Sequence, residues 1–351
     1  MKKYFLLLLA MFGMLLTACE RDDAEIKLSK QSIEVEYMSN TYTVSVTSPC
    51  SWKAVSDNEW IVVENKTGIA GTKELSFKVE RNMDKKEREG TIVVKNSDYN
   101  LISELYVIQN GISDEKYGKY VILYTSSDGN VVTPYTTECF GANIVSNTYE
   151  NGKGTIMFDA PVISIGDSIF YDCSSLRSIT IPDGVTSIGD WAFSNCKSLT
   201  NVTIGESVTT IGERAFLGCS SLTSIIIPNR VTSIKSSVFY NCSSLTSITI
   251  PDSVTSIGDW AFSNCKSLTS VTIKDSVTTI GDRAFLGCRS LTSVYCKPTT
   301  PPIGGDCIFS YYNNGYKPIG CKIYVPTASV EAYKSADYWS DYADYIEGYD
   351  F

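Results

Sequence analysis

The sequence predicts a mostly β chain, an immunoglobulin-like β-sandwich followed by a solenoid of 23-residue units with end caps. Three observations carry this expectation. Short runs alternate apolar and polar residues between Glu25 and Gly111, a Phe, Cys, Leu pattern recurs every 23 residues from Phe170 to Leu291, and dissimilar segments flank that array.

The alternating region comes first. Ile33, Val35 and Tyr37 alternate with polar neighbours, as do Tyr42, Val44 and Val46; later runs are Leu75, Phe77 and Val79, then Ile92 and Val94, then Leu105 and Val107. With the stretches around Trp52 and Trp60 this makes about seven strands, which suits a sandwich of under ~100 residues. Trp52 and Trp60 admit two readings. Their rings can stack on sugars, but a tryptophan inside a short sandwich strand is usually core.

The repeats follow from arithmetic. Cysteines stand at 173, 196, 219, 242, 265 and 288, with a phenylalanine three residues before each and a leucine three after. In one unit, Leu245-Thr246-Ser247-Ile248-Thr249-Ile250 has the spacing of a strand that turns its apolar side chains inward. Pro251-Asp252 ends that strand, Val254 and Ile257 return on a second side, and Gly258 to Phe262 is expected to form a short helical turn capped by Asp259. Solenoids expose an apolar edge at each end, so 112–160 and 297–351 are expected to be caps around repeats at 161–296. Thr186 to Ser224 recurs almost letter for letter as Thr255 to Ser293, three units later, which points to a recent in-frame duplication.

Several segments resemble known families. Lys2, Lys3 and the apolar run Tyr4 to Leu16 form a signal-like start, and Leu16-Thr17-Ala18-Cys19 resembles the lipobox of bacterial lipoproteins. That resemblance implies cleavage after residue 18, acylation of Cys19 and a tether over 19–24, so the partner at this end is a membrane reached through a lipid anchor. Glu20-Arg21-Asp22-Asp23 is similar to the acidic tag that routes some lipoproteins to the exterior of the outer membrane. Ser51-Trp52, Trp60-Ile61, Gly68, Asn82, Arg88 with Gly90, and Gln109-Asn110-Gly111 resemble a BACON domain over 25–111. The family is named for carbohydrate binding, which implies a glycan- or mucin-binding accessory module; a stiff stalk is the other reading. Val162 to Val294 resembles BspA-type leucine-rich repeats, with Lys322-Ile323-Tyr324-Val325-Pro326 and the segment Ser329 to Ile346 similar to the closing cap of such arrays. That resemblance implies adhesion to host or bacterial surface proteins.

Composition narrows the function. The chain has no histidine, which removes histidine triads and imidazole metal sites. Without Lys2 and Lys3 the 30 basic residues fall to 28 against 39 acidic ones, a net charge of about −11, so nucleic acid is not an expected partner. No paired-carboxylate, serine-elbow or phosphate-loop motif stands out, so the expectation is a binding protein with no enzyme activity, metal or cofactor. The cysteine ladder does not converge as metal ligands do, and reads as buried free thiols. Cys296, Cys307 and Cys321 fall outside its spacing and leave room for one disulfide.

Candidate ligand contacts lie on two sides of the solenoid. On the outward strand face, Thr200, Thr223, Thr246, Thr269 and Thr292 form one hydroxyl column. Thr180, Thr203, Thr249 and Thr272 form most of a second, interrupted by Ile226 and Tyr295 as apolar anchors. The face suits a glycan or an extended protein segment, although threonine also favours strands for its own sake. On the turn side, Trp191 and Trp260 share a column with Ser168, Arg214, Ser237 and Arg283 and are expected to be exposed, three rungs or ~14 Å apart. The tail is rich in tyrosine, and Asp167-Ser168-Ile169, Asp252-Ser253-Val254 and Asp275-Ser276-Val277 fit a short O-glycosylation pattern. The partner is therefore a protein or glycan at a cell or matrix surface; a passive spacer without a ligand is the alternative.

Overall fold

The computed structural model describes residues 25–96, 100–312, 316–318 and 320–351, which fall into two compact units divided after Ser113. Cys19 and Glu20 to Asp23 lie outside the described residues. Among the described residues no helix is long and apolar enough to cross a membrane.

The first unit is a two-sheet sandwich of nine strands, β1 Lys27–Leu28, β2 Ser32–Val35, β3 Asn40–Ser48, β4 Trp52–Val55, β5 Ile61–Val63, β6 Thr67–Gly68, β7 Gly71–Val79, β8 Arg88–Asn96 and β9 Leu101–Gln109. One sheet has the order β1-β3-β7-β5 and the other β2-β9-β8-β4-β6. All pairs are antiparallel except β2 with β9. The expected alternation faces inward: Val44, Val46, Leu75, Phe77, Val79, Ile92, Val94, Leu105 and Val107 are all buried. The two strands beyond the expected seven include β1 and β6, which are too short at two residues to display any period.

One edge of this core is held by a polar network. Gln109, fully buried, donates from Nε2 to the carbonyls of Glu36 and Glu80 and accepts at Oε1 from Arg88 Nε. Arg88 Nη2 donates to the Glu80 and Arg81 carbonyls, and Asn82 Nδ2 to those of Lys86 and Asn110. Each of these donors reaches a backbone carbonyl except Arg88 Nε, which is satisfied by Gln109 Oε1, and such pairing is the condition for burying them without loss.

In the second unit, β10 Val121–Ser126, β11 Ile144–Glu150 and β12 Lys153–Phe158 form an antiparallel sheet. β10 pairs antiparallel with the first repeat strand, Leu176–Thr180. From there the solenoid strands stack in parallel, with Ser178, Ile179 and Thr180 opposite Asn201, Val202 and Thr203, and Ser270 to Ile273 opposite Ser293 to Cys296. Two further parallel ladders of two-residue strands run along another side, one from Ser164–Ile165 to Thr210–Ile211 and one from Ser233–Ile234 to Ile303–Gly304. The array thus continues past residue 296. A one-residue insertion puts Ile303 opposite Thr279, Asp306 one rung above Asp282 and Phe309 above Phe285, so Cys307 belongs to a further turn.

The core is a stack of rings. Phe170, Phe193, Phe216, Phe239, Phe262, Phe285 and Phe309 lie face to face at centroid separations of 5.1–5.6 Å. Phe140 and Phe158 close one end, and Trp339, Tyr342 and Tyr333 the other. Cap polar atoms are satisfied too. Trp339 Nε1 donates to the Pro302 carbonyl, Tyr333 Oη to that of Pro298, and Tyr342 Oη accepts from the Phe309 N–H. Beside the rings, Cys196, Cys219, Cys242, Cys265 and Cys288 are buried, each donating from Sγ to a phenylalanine carbonyl 26 residues earlier. Cys173, at the first rung, is only half-buried and donates to the Thr133 carbonyl.

The expected helical turn at Gly258 to Phe262 does not form. Each turn has two left-handed residues, one in the column Ser168, Trp191, Arg214, Ser237, Trp260, Arg283 and one in the column Asp172, Asn195, Gly218, Asn241, Asn264, Gly287. A right-handed helix cannot run through either. Asp259 does not cap its own turn: its Oδ1 accepts the Asp282 N–H of the next rung, as Asp167, Asp190 and Asp282 accept from Asp190, Glu213 and Asp306. This carboxylate ladder needs close rungs. A Cβ at Gly212 would lie 2.4 Å from the Gly189 carbonyl carbon and 2.5 Å from Asp190 N. Lys235 fills the glycine column one rung later, Ser236 replaces the acidic residue beside it, and among the described residues no carboxylate accepts from the Ser236 N–H. Gly212→Ala is expected to cost about 1–3 kcal/mol through forced backbone shifts, read as a lower denaturation midpoint.

Candidate recognition face

Four tryptophans were candidate contacts, and all are engaged within the fold. Trp52 is only 3% exposed, with Gly68 packed so close that a Cβ there would meet the indole at 2.2 Å; the core reading holds and a sugar platform does not. Trp60 is half-buried, with the Arg88 guanidinium 4.3 Å from its ring centroid. Trp191 and Trp260, expected to be exposed, are half-buried. Arg214 lies over Trp191 at 4.9 Å with Tyr171 edge-on, and Arg283 over Trp260 at 5.0 Å with Tyr240 edge-on. In each case a guanidinium covers one ring face, a stabilising contact that leaves less of the indole for a ligand.

The strand face is different. Its two hydroxyl columns look alike in sequence and behave differently. Thr200, Thr223, Thr246, Thr269 and Thr292 each donate from Oγ1 to a carbonyl one rung back, at 3.1–3.5 Å. These hydroxyls are spent on the ladder. Thr203, Thr249 and Thr272 stand three residues further along on the same strands, and among the described residues their hydroxyls, like those of Ser247 and Ser270, make no hydrogen bond within the protein. Thr203 and Thr249 are exposed and Thr272 half-exposed.

Register makes these residues one row. Thr180 stands opposite Thr203 on one ladder, with Leu123 beyond Thr180; 23 residues after Thr203, Ile226 is bridged to Thr249, and Thr272, Tyr295 and Tyr324 follow at equivalent positions on the next ladder. Ile226 is 80% exposed, the most of any large apolar side chain among the described residues. Tyr295 and Tyr324 stack at 5.1 Å, and Tyr349 meets both at 5.7 and 5.5 Å. Phe351 packs on Tyr349, with Lys297 Nζ 5.2 Å from its ring. Ile226, Tyr295 and the threonines were anticipated as members of this row. Tyr324 was not, although the alternation of Lys322 to Val325 turns it outward; Phe351 carried no such signal.

Two of the three serines in the O-glycosylation pattern are tied down. Ser253 and Ser276 of the O-glycosylation pattern donate from Oγ to the Val231 and Val254 carbonyls at 2.6 and 2.8 Å. Cys296, Cys307 and Cys321 are free thiols, with Cys296 Sγ 3.3 Å from the Tyr333 hydroxyl, so the room left for a disulfide is not used. No group of three or more Cys, Asp or Glu placed to hold a metal is found among the described residues.

Comparison with known proteins adds the family. Residues 142–266 and 213–314 match the BspA type leucine rich repeat region in six copies, and residues 25–98 match the Viral BACON domain. A leucine rich repeat protein of T. pallidum is 32% identical, the match covering 43% of this chain and 70% of that one, with a TM-score of 0.41. A leucine rich cell surface protein from Faecalibacterium prausnitzii is 29% identical over 53% of this chain and 63% of its own, with a TM-score of 0.36. A leucine-rich repeat protein from Bacteroides ovatus is 22% identical over 56% of this chain and 70% of its own, with a TM-score of 0.27. No curated protein matches the chain.

Proposed function

We propose, from the premise that the repeat region of this chain belongs to the BspA-type leucine-rich-repeat family, that the protein is a surface-displayed binding protein whose strand face is its recognition surface. The observation that carries the reading is Ile226, a large apolar side chain 80% exposed in the middle of a row of uncharged hydroxyls. Water gains nothing from such a residue, and a partner that covers it does. In this reading Cys19 carries the lipid anchor at the outer membrane, Glu20 to Asp23 direct the chain outward, and the BACON-type sandwich is a stalk or accessory binder. The row is compatible with a protein or a glycan partner, and the turn-side Trp191 and Trp260 serve the fold.

The test uses the purified chain against a panel of matrix proteins and immobilised glycans. Ile226→Lys places a charge on the face without touching the core, and is expected to weaken any specific binding by at least about tenfold, or ~1.4 kcal/mol, while the melting transition stays in place. Binding that ignores Ile226→Lys would move the recognition surface elsewhere; no binding to either class would favour the passive spacer. Protease shaving of intact cells tests the location, since a protein facing outward is lost and one facing inward survives.

A further inference from the structure

We propose that the stretch of this face between Ile226 and Tyr295 is a subsite for a neutral, polyhydroxylated ligand, a short run of an uncharged glycan. The inference rests on the strand face being the recognition surface, and adds the chemical class of what it holds.

Three features of the stretch converge. The first is its walls. Tyr295 has one ring face against Tyr324, at an interplanar angle of 19°, so its other face turns towards Thr272. Tyr349 meets this ring at a steep angle, 5.7 Å away, and among the described residues no further ring or cation is found against it. Ile226 stands at the opposite end, three rungs or ~14 Å away, the length of two to three pyranose rings. The second is its floor. Between the walls the outward side chains are Ser247, Thr249, Ser270 and Thr272, every one a hydroxyl and none charged. Their hydroxyls are uncommitted, whereas those of Thr246 and Thr269 beside them are fixed on backbone carbonyls. A free hydroxyl both donates and accepts, which matches the hydroxyls of a sugar.

The third feature is what the stretch withholds. Strands Ser270–Ile273 and Ser293–Cys296 are paired on both sides, while Ser247–Thr249 is laddered on one side and bridged to Ile226 through Thr249 on the other, so an incoming peptide finds at most one partly occupied edge for β-augmentation. A charged ligand finds no counter-charge between the walls. An aromatic wall above an uncharged hydroxyl floor offers stacking to an apolar sugar face and hydrogen bonds to its rim.

The experiment is calorimetric titration of the full chain with cellohexaose, β-1,4-mannohexaose and chitohexaose, with hexagalacturonate as the charged comparison. At least one neutral hexaose is expected to bind with Kd below ~1 mM. Tyr295→Ala and the double variant Thr249→Val with Thr272→Val are expected to weaken it at least about tenfold, and Thr246→Val less than about twofold. The valine pair is isosteric and keeps the fold should Tyr295→Ala disturb it. Absence of neutral-hexaose binding, preference for hexagalacturonate, or binding unmoved by the valine pair would each overturn the inference. If the chain instead binds a protein in a manner sensitive to Ile226→Lys while all three hexaoses fail, the glycan class falls and the recognition face stands.

Discussion

Phe239→Ala is expected to destabilise the solenoid by about 3–5 kcal/mol and to divide its unfolding into two steps. Phe239 is fully buried, with Phe216 stacked on one face at 5.6 Å and Phe262 on the other at 5.3 Å. Truncation removes the ring's burial, leaves a cavity between two rungs and abolishes two stacking contacts of ~0.5–1.5 kcal/mol each. The position in the array decides the form of the loss. In a solenoid each rung is coupled only to its neighbours, so a weakened middle interface lets the two halves melt separately. Phe309→Ala is the comparison, because Phe309 sits under Trp339 and Tyr342 and its loss frays one end only. Denaturant titration followed by circular dichroism reads both. A single unchanged transition in Phe239→Ala would contradict the continuous ring stack.

How much of this was legible in the sequence depends on whether a feature is periodic. The Phe, Cys and Leu columns repeat every 23 residues, and their burial follows from the period alone. The last turn was hidden because one inserted residue shifts Asp306, Cys307 and Phe309 out of register, and a strict count stops at residue 296. The half-burial of Trp191 was available and missed. Residues 191 and 214 share a column, columns on neighbouring rungs lie ~4.8 Å apart, and an arginine there has little room except over the indole. The turn could not be read from propensity, since tryptophan and arginine at left-handed φ are unusual and the rung ladder imposes them. The division between spent and free threonine hydroxyls was not legible at all. Thr246 and Thr249 differ only in where the hydroxyl points relative to the previous rung, and neither residue type nor spacing encodes that.

The buried thiols lead to an expected result in alkaline solution, a steep loss of solenoid stability above pH ~8.5. Burial pushes Cys196, Cys219, Cys242, Cys265 and Cys288 well above the ordinary thiol range, and Cys296 up to about 12. The sign follows from which state binds the proton. In the unfolded chain these thiols ionise near pH ~8.5, while in the folded chain they stay protonated, so from that pH upward the unfolded state holds fewer protons and stability falls. The contribution is fully present below the unfolded pKa and is lost as pH rises towards the folded one. Each thiol adds a slope of up to ~1.4 kcal/mol per pH unit, so six of them together make about 8 kcal/mol per unit at the steepest, comparable with the whole stability of many domains. Denaturant midpoints measured between pH 7 and 10 under reducing conditions read the slope. Cys242→Ala should lower the stability at pH 7 by leaving a small cavity and flatten the alkaline fall by one thiol's share, and Cys219→Ala should do the same independently. A midpoint flat to pH 10, or a slope indifferent to either substitution, would mean that the ladder thiols are not sequestered in the folded array.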